Sequence, residues 1–247
     1  MPLRESEAIV LRSFPLGEAD RLVSLLSRTM GRLRGVACGA RRPKSRFGAA
    51  LEPLSHIRVW FYERPTRELV RISQCELLES FLEAQRDYQA GVTLALVSEV
   101  SEAVLPEREA SETSFRLVLH VARSVKRTGK TALPLAYFAL WTVRLGGWLS
   151  PLDCCSQCGR ELGSEGAFAS PTGAGLACKA CRRPGMRSLS GLTLASAQRM
   201  LAEPLDRLRE EGFPAVALQE QSEYLLDLIE HHIERKLNSR QLLEAKA

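Results

Sequence analysis

The spacing of apolar residues changes once along this chain, near residue 80, and that change separates two kinds of structure. Up to about residue 78 short runs alternate apolar and polar positions between turn residues, which is the two-residue period of β-strands. The expected strands are Glu7–Phe14, Arg21–Ser27, Arg32–Gly39, Ser55–Tyr62 and Leu69–Glu76, with Thr29-Met30-Gly31 as a tight connection and Glu63–Glu68, containing Pro65, as a turn. Five short strands with no helix between most of them suit a small Greek-key barrel of the OB type, and an SH3-like barrel accommodates the same strand count.

Beyond residue 80 the period is helical. The expected helices are Tyr88–Leu105, stopped by Pro106; Glu112–Arg127, with Phe115, Val118, Leu119, Ala122 and Val125 on one side; Leu135–Leu145, nearly all apolar and ended by Gly146-Gly147; and Thr193–Ala202 and Val216–Leu237. Leu135–Leu145 reads as the centre of a bundle. The fold class expected is therefore α+β and multidomain. It comprises an OB-type β-barrel domain over 1–79 and an α-helical domain in two parts, 80–149 and 188–247, interrupted by a four-cysteine ribbon over 150–187. No internal repeat or low-complexity segment is visible.

A chain of 247 residues, 45% hydrophobic and 26% charged, has the composition of a globular protein and not of a disordered one. Its longest apolar run, Ala132 to Val143, is closed by Arg144 and is too short for a membrane span, which needs about 20 residues. Met1-Pro2-Leu3-Arg4-Glu5 lacks an apolar stretch behind a basic head, so no secretory leader and a cytoplasmic location are expected.

The formal net charge of +5 is concentrated at one end. Residues 1–50 hold ten Arg or Lys against four acids, and from Arg28 to Arg46 there are seven bases and no acid. Such a segment attracts a polyanion, most commonly a nucleic-acid backbone; the competing account is a basic surface that serves solubility. The candidates for phosphate contact are Arg32, Arg34, Arg41, Arg42, Lys44 and Arg46, joined by Arg12 and Arg21. In the fourth strand Ser55, Ile57, Val59 and Phe61 share an inward face, while His56, Arg58, Trp60 and Tyr62 share the other. Rings beside Arg on a barrel exterior can stack unpaired bases. Cover by the helical part is the favoured account for this strand, since two large rings exposed together are unusual.

Five of the seven cysteines fall between 154 and 181. Cys155-x2-Cys158 and Cys178-x2-Cys181 each present two thiolates from a tight turn, and two such turns complete a tetrahedron around Zn²⁺. Gly159, Gly163, Gly166, Gly173 and Gly175 fit the turns of a zinc ribbon. Four protein ligands leave no open position, so one structural ion is expected. Cys154-x3-Cys158 is an alternative first pair; Cys155 is preferred because it makes the halves symmetrical. Cys38 and Cys75 are expected as buried strand residues, and Lys179, Arg182, Arg183 and Arg187 as a solvated face.

Motifs that carry catalysis are missing. Gly129-Lys130-Thr131 imitates the end of a phosphate loop, but a helix precedes it and Ser124 stands where the first glycine belongs. The four histidines form no H-E-x-x-H, and His231 and His232 read as surface residues. No enzymatic activity is expected. The alternatives are an OB-type RNA-binding factor and a zinc-ribbon nucleic-acid enzyme; the latter would need clustered carboxylates for Mg²⁺, which the basic N-terminal region does not offer.

Leu11-Arg12-Ser13-Phe14 followed by Gly17-Glu18-Ala19-Asp20-Arg21-Leu22-Val23 resembles the opening of the bacterial recombination mediator RecO. The run Gly31-Arg32-Leu33-Arg34-Gly35-Val36-Ala37-Cys38-Gly39-Ala40-Arg41-Arg42-Pro43-Lys44-Ser45-Arg46-Phe47 is similar to that family's most recognisable segment. Leu152-Asp153-x-Cys155-x2-Cys158-Gly159 with Cys178-x2-Cys181 resembles its zinc-bearing members, and the doubled Cys154-Cys155 departs from them. The resemblance implies an OB domain and a helical domain interrupted by a zinc ribbon. It further implies binding of single- and double-stranded DNA, annealing of complementary strands, and help in loading the recombinase RecA onto DNA coated by single-strand-binding protein (SSB). The partners implied are RecR and the acidic tail of SSB. A tail that is acidic with an apolar end asks for a basic rim beside an apolar groove, and the stripe Arg116, Arg123 and Arg127 on the second helix is the candidate.

Overall fold

The computed structural model describes residues 3–63, 68–170 and 175–244, so residues 64–67 of the expected Glu63–Glu68 turn, and Gly173, lie outside the described residues. The strands are β1 (Leu3–Leu16), β2 (Asp20–Ser27), β3 (Gly31–Ala37), β4 (His56–Tyr62), β5 (Val70–Glu79), β6 (Ala167–Ala169), β7 (Leu176–Ala177) and β8 (Arg187–Leu189). The helices are α1 (Tyr88–Val104), α2 (Glu112–Thr128), α3 (Ala132–Leu145), α4 (Gly191–Ala202), α5 (Ala215–His232) and α6 (Asn238–Glu244). The chain divides into two compact units, Met1–Lys126 with Asn238–Ala247, and Arg127–Leu237. Among the described residues no helix is long and apolar enough to cross a membrane.

In the first unit the five long strands close in the order β1-β2-β3-β5-β4. Every pairing is antiparallel except β3 with β5. A simple meander would set β4 beside β3; placing β5 there, in parallel, is the OB-like arrangement and not the SH3-like one. The parallel seam is only three residue pairs long, Gly35–Val70, Val36–Arg71 and Ala37–Ile72. It closes because Gly35 has no side chain: a Cβ there would lie 2.8 Å from Val70 Cγ2 and 2.9 Å from Ile72 Cγ1. β1 serves two neighbours, β4 along its first half and β2 along its second, and must bend between them. A bulge at Leu11 supplies the bend. The freed Leu11 carbonyl accepts a hydrogen bond from Ser98 Oγ of α1.

Alternation places Ala8, Val10, Val23, Leu25, Leu33, Ala37, Ile57, Val59, Phe61, Val70 and Ile72 inside the barrel, each at most 2% exposed. Phe47, Ala50 and Leu51 complete that core from the β3–β4 connection. Cys75 joins it as expected, and burial pushes its thiol up to about 12. Cys38 departs from expectation. β3 ends at Ala37, because the Gly39 amide turns to Asp20 Oδ1 (2.8 Å), and Cys38 lies half-buried in the resulting turn. Helix α1 starts at Asp87, whose side chain accepts from the Ala90 amide at 2.9 Å. On α2 the expected apolar side, Phe115, Val118, Leu119, Ala122 and Val125, is buried.

The expected helix Val216–Leu237 ends five residues early, and a further helix that was not expected follows it. Helix α5 stops at His232, Glu234 takes a left-handed φ of 54°, and α6 begins anew at Asn238. The buried Glu99 of α1 accepts from the amides of Asn238 (3.1 Å) and Ser239 (2.8 Å), serving the free N–H groups of α6. Burial opposes the Glu99 charge, yet the Ser239 and Asn238 donors and nearby Arg12 hold its carboxyl below the usual range.

In the second unit α3 is buried over Leu133–Tyr137 and Phe138–Leu140, the central position expected of it. Gln221 of α5 donates to the Ala136 carbonyl (3.3 Å), and Trp141 Nε1 donates to that of Met200 on α4 (3.3 Å). Strands β7, β6 and β8 form a small three-stranded sheet. Arg187 on β8 reaches Glu223 (3.0 Å) and Asp227 (2.9 Å) on α5, which fixes the sheet to the helices of this unit.

Candidate nucleic-acid interface and cysteine cluster

The basic segment that follows β3 is a built loop. Gly39 enters it at a φ of 74°, and Phe47 leaves it into the barrel core. Between them the chain is tied to the β1–β2 connection. The Arg41 amide donates to the Ala19 carbonyl (2.9 Å), and Arg41 Nη1 donates to that of Gly17 (2.7 Å). Turn bonds from Arg42 to Gly39 (3.1 Å) and from Ser45 to Arg42 (3.0 Å) shape the rest. With Phe47 committed inward, Arg41, Arg42, Lys44 and Arg46 are left exposed. Among the described residues no carboxylate pairs with Arg42, Lys44 or Arg46, and the Arg46 guanidinium lies 5.1 Å from the Phe47 ring.

The four strand arginines are placed differently. Arg12 meets Glu102 at 2.5 Å and Glu99 at 3.9 Å. Arg21 donates to Ser13 Oγ (3.0 Å) and lies 3.8 Å from Glu52. Arg32 donates to the Leu105 carbonyl (3.0 Å) and pairs with Glu107 (3.1 Å). Arg34 pairs with Glu107 (2.9 Å) and Glu68 (3.6 Å). The eight candidate cations thus fall into an exposed loop set and a strand set already matched to carboxylates. All of these acids lie beyond residue 50, so a count over the first 50 residues does not register them.

The outer face of β4 is only partly covered by helix: α2 meets His56, while Trp60 and Tyr62, for which helical cover was favoured, are half-buried and Trp60 is partnered from β1. His56 is buried edge-on to Phe115 of α2, their ring centres 5.9 Å apart. Trp60 is half-buried with its Nε1 donating to Glu5 (2.9 Å), and Arg58 reaches Glu5 (3.4 Å) and Glu76 (3.2 Å). Exposed apolar side chains of the barrel lie instead on β5, at Leu77 and Leu78, and on β1, where Phe14 is 47% and Leu16 41% exposed. Strand register sets Phe14 opposite Leu22, Leu22 opposite Val36, and Val36 opposite Arg71, one outward row across β1, β2, β3 and β5. Phe14 and Arg71 were not among the sequence candidates. The signal was the alternation Arg12, Phe14, Leu16, but it becomes readable only once the Leu11 bulge fixes which face those residues share.

On α2 the three stripe arginines differ in state. Arg123 Nε pairs with Glu79 (2.7 Å), which Lys126 also reaches (3.2 Å); burial opposes the charge of Glu79, but these two cations hold its carboxyl below the usual range. Arg127 lies 3.4 Å from Asp206, and Arg116 is exposed.

In the second unit Cys155, Cys158, Cys178 and Cys181 converge, their four Sγ atoms all within 4.8 Å of one another; Cys154 is not among them. Each pair is held by its own turn: the Gly159 amide donates to the Cys155 carbonyl (2.8 Å), and the Cys181 amide to that of Cys178 (3.0 Å). Cys154 instead forms a bridge with Glu161. Two successive residues in extended backbone point oppositely, so only one of the doubled cysteines can face the cluster. The Ser156 amide bonds the Leu176 carbonyl (2.8 Å), which draws the two turns together. Gly175, at a φ of 96°, leaves no room for more, since a Cβ there would sit 2.1 Å from Ser156 Oγ.

The cluster fits a metal ion. A tetrahedron with metal–sulfur bonds of about 2.3 Å has edges near 3.8 Å, and Cys158 Sγ lies 3.8 Å from Cys178 Sγ. Backbone amides, that of Cys178 foremost, lower the Cys155 thiol to about 6, and the Cys181 amide lowers Cys178. The neighbouring sulfurs, Cys158 first, push Cys181 up to about 12. Crowding of negative sulfur without a counter-charge is the cause, and a divalent cation relieves it. Of the nearby cations Arg187 is committed to Glu223 and Asp227, while Arg182 lies 4.7 Å from the Phe168 ring.

Comparison with known proteins places both halves of the chain. Residues 1–81 match the family described as Recombination protein O N terminal, and residues 85–241 the family described as Recombination protein O C terminal. The DNA repair protein RecO of Koribacter versatilis is 40% identical over 235 residues, 95% of this chain and 96% of its own length. Those of a Nocardioides species and of Desulforudis audaxviator are 35% identical over 250 residues (98% and 99% of the two chains) and 33% over 237 (95% and 94%). With its barrel, its cysteine cluster and both family segments in register along one chain, this protein belongs to the RecO family of DNA repair proteins.

Proposed function

We propose that the protein is a DNA-binding recombination mediator that binds single- and double-stranded DNA and anneals complementary strands. In this reading it also helps load RecA onto SSB-coated DNA together with RecR. The observation that carries the reading is the loop Gly39–Arg46, whose exposed Arg42, Lys44 and Arg46 have no carboxylate partner among the described residues. Cations held out by a structured loop on an OB-like barrel can accept phosphates without first breaking internal ion pairs. Arg12, Arg21, Arg32 and Arg34 contribute at longer range, through the field of the patch. The site acts by binding rather than by catalysis, in the cytoplasm. The barrel, 1–79, carries the DNA contacts; the ribbon of 150–187 interrupts the helical parts, 80–149 and 188–247, along the sequence.

The ribbon holds one Zn²⁺ through Cys155, Cys158, Cys178 and Cys181, a structural ion because no position on it is open. The acidic tail of SSB docks at Arg116, Arg123 and Arg127 of α2, competing with Glu79 for Arg123 and with Asp206 for Arg127. A titration against DNA single strands, DNA duplex and RNA of one sequence at two salt concentrations tests the reading. DNA binding that weakens steeply with salt is expected. Absence of DNA binding at low salt, or an RNA affinity well above that for DNA, would overturn it.

A further inference from the structure

The cations of the basic loop do not distinguish a single strand from a duplex, since both offer phosphates. An exposed ring can, because only an unpaired base can stack on it. Phe14 is a large ring on β1, 47% exposed, in a barrel whose outward Trp60 and Tyr62 on β4 are half-buried. It is held from behind: the Arg12 guanidinium lies 6.0 Å from the ring centre and is itself fixed by Glu102. A cleft of about 360 Å³ opens beside it, its apolar wall formed by Phe14, Pro53, Leu54 and Leu94 among others, with polar and charged groups that include Gln85 and Glu99. Leu22 and Val36 continue the apolar row, and the exposed Arg71 ends it. Arg41 is tied to the carbonyl of Gly17, three residues beyond Phe14 in sequence and just past the end of β1.

We propose that Phe14 is a base-stacking residue, that an unpaired nucleobase seats on its ring and in the adjoining cleft, and that this contact gives the barrel its preference for single strands. The inference rests on the reading of the loop as a phosphate site. A stacked duplex keeps its bases away from the ring; an unpaired base can leave the strand, lie against the ring and keep its phosphate at the loop cations. The ring is neutral, so its contribution does not depend on salt, unlike that of the cations.

The test compares wild type with Phe14→Ala and Phe14→Trp, using three oligonucleotides: a mixed-sequence single strand, the same strand made abasic, and a duplex. Phe14→Ala should weaken single-strand binding roughly five- to 150-fold, the equivalent of about 1–3 kcal/mol. Its salt slope should be unchanged, as should its affinity for the abasic strand and the duplex. Phe14→Trp should restore binding, and its fluorescence should be quenched by the normal strand and not by the abasic one. Because Phe14 is exposed, both variants should melt with the wild type, which the same samples can show. Equal single-strand affinity of wild type and Phe14→Ala overturns the inference and leaves the loop reading intact. Failure of wild type to bind any strand overturns the loop reading itself. A loss common to all three oligonucleotides, or a change of oligomeric state in Phe14→Ala, would assign the ring to folding or to a protein contact.

Discussion

Arginines that look alike in sequence do different jobs here, and the difference is set by which carboxylates the fold brings to them. Arg32 and Arg34 share Glu107, whereas Arg42 and Lys44 face solvent. Replacing Arg41, Arg42 and Lys44 together with alanine should therefore lower the salt dependence of single-strand binding by about 2, at roughly 0.7 per phosphate contact. Replacing Arg32 and Arg34 should chiefly lower stability. Plots of affinity against salt for both variants check this, and an unchanged slope in a folded triple variant would remove the loop from the interface. Glu99 is a second residue whose role only the fold reveals. Its folded carboxyl titrates below the ordinary value of about 4.3. The stability it adds is thus fully present above that pH and is lost as pH falls through the lower folded value. Glu99→Gln should reduce the melting temperature at neutral pH, and the gap from wild type should stay level down to about pH 5 and close in more acid solution. A gap that widens on acidification would contradict the assignment.

At the scale of elements, the barrel seam depends on one small residue. Gly35→Val would force a side chain to within about 3 Å of Val70 and Ile72 where β3 meets β5. Overpacking of this kind costs about 1–3 kcal/mol, or a few degrees of melting temperature for each kcal/mol in a chain of this size. Thermal melts should show that loss; a wild-type melting temperature would mean the seam is looser than the register implies. Strand β3 was legible because one face lies in the core and burial alternates along it, whereas residues 8–11 of β1 and 23–27 of β2 are buried on both faces and were bounded by their turn residues. Helices α1 to α4 were legible to within three residues at either end for the matching reason. What could not be read depends on distant partners. The break between α5 and α6 is stabilised by Glu99, well over 100 residues away in sequence, and Ala215–Glu244 otherwise continues in helical character. Strands β6, β7 and β8 are two or three residues long, too short for any period to register.

Across the whole molecule both units have apolar cores, that of the second built on α3, α4 and α5, but the second also carries a part with little apolar core of its own. The first is closed by its barrel, and the second adds a sheet of a few residues and a cluster of four sulfurs. The spacing of the cysteine pairs gave that cluster directly from sequence. The choice between Cys154 and Cys155 needed the backbone geometry, in which Cys154 pairs in a β-bridge with Glu161 and Cys155 joins the cluster. Cys154→Ser should therefore keep one Zn²⁺ per chain, and Cys155→Ser should lose it. Stripping the ion from wild type with a strong chelator should leave sulfur charge without a counter-ion in an otherwise weakly held ribbon. The second unit should then lose heat stability and gain protease cleavage between β6 and β8, because the metal's binding energy is part of its folding energy. The loop Gly39–Arg46 has none of its anchors in that unit: Asp20, Gly17, Ala19 and the Phe47 core all belong to the barrel. Single-strand affinity should consequently survive chelation to within a few-fold while the melting transition of the second unit moves down. Paired measurement of metal content, limited proteolysis and strand binding on one stripped sample decides the matter. Loss of strand binding in step with the metal would place the principal DNA contacts on the ribbon rather than on the barrel.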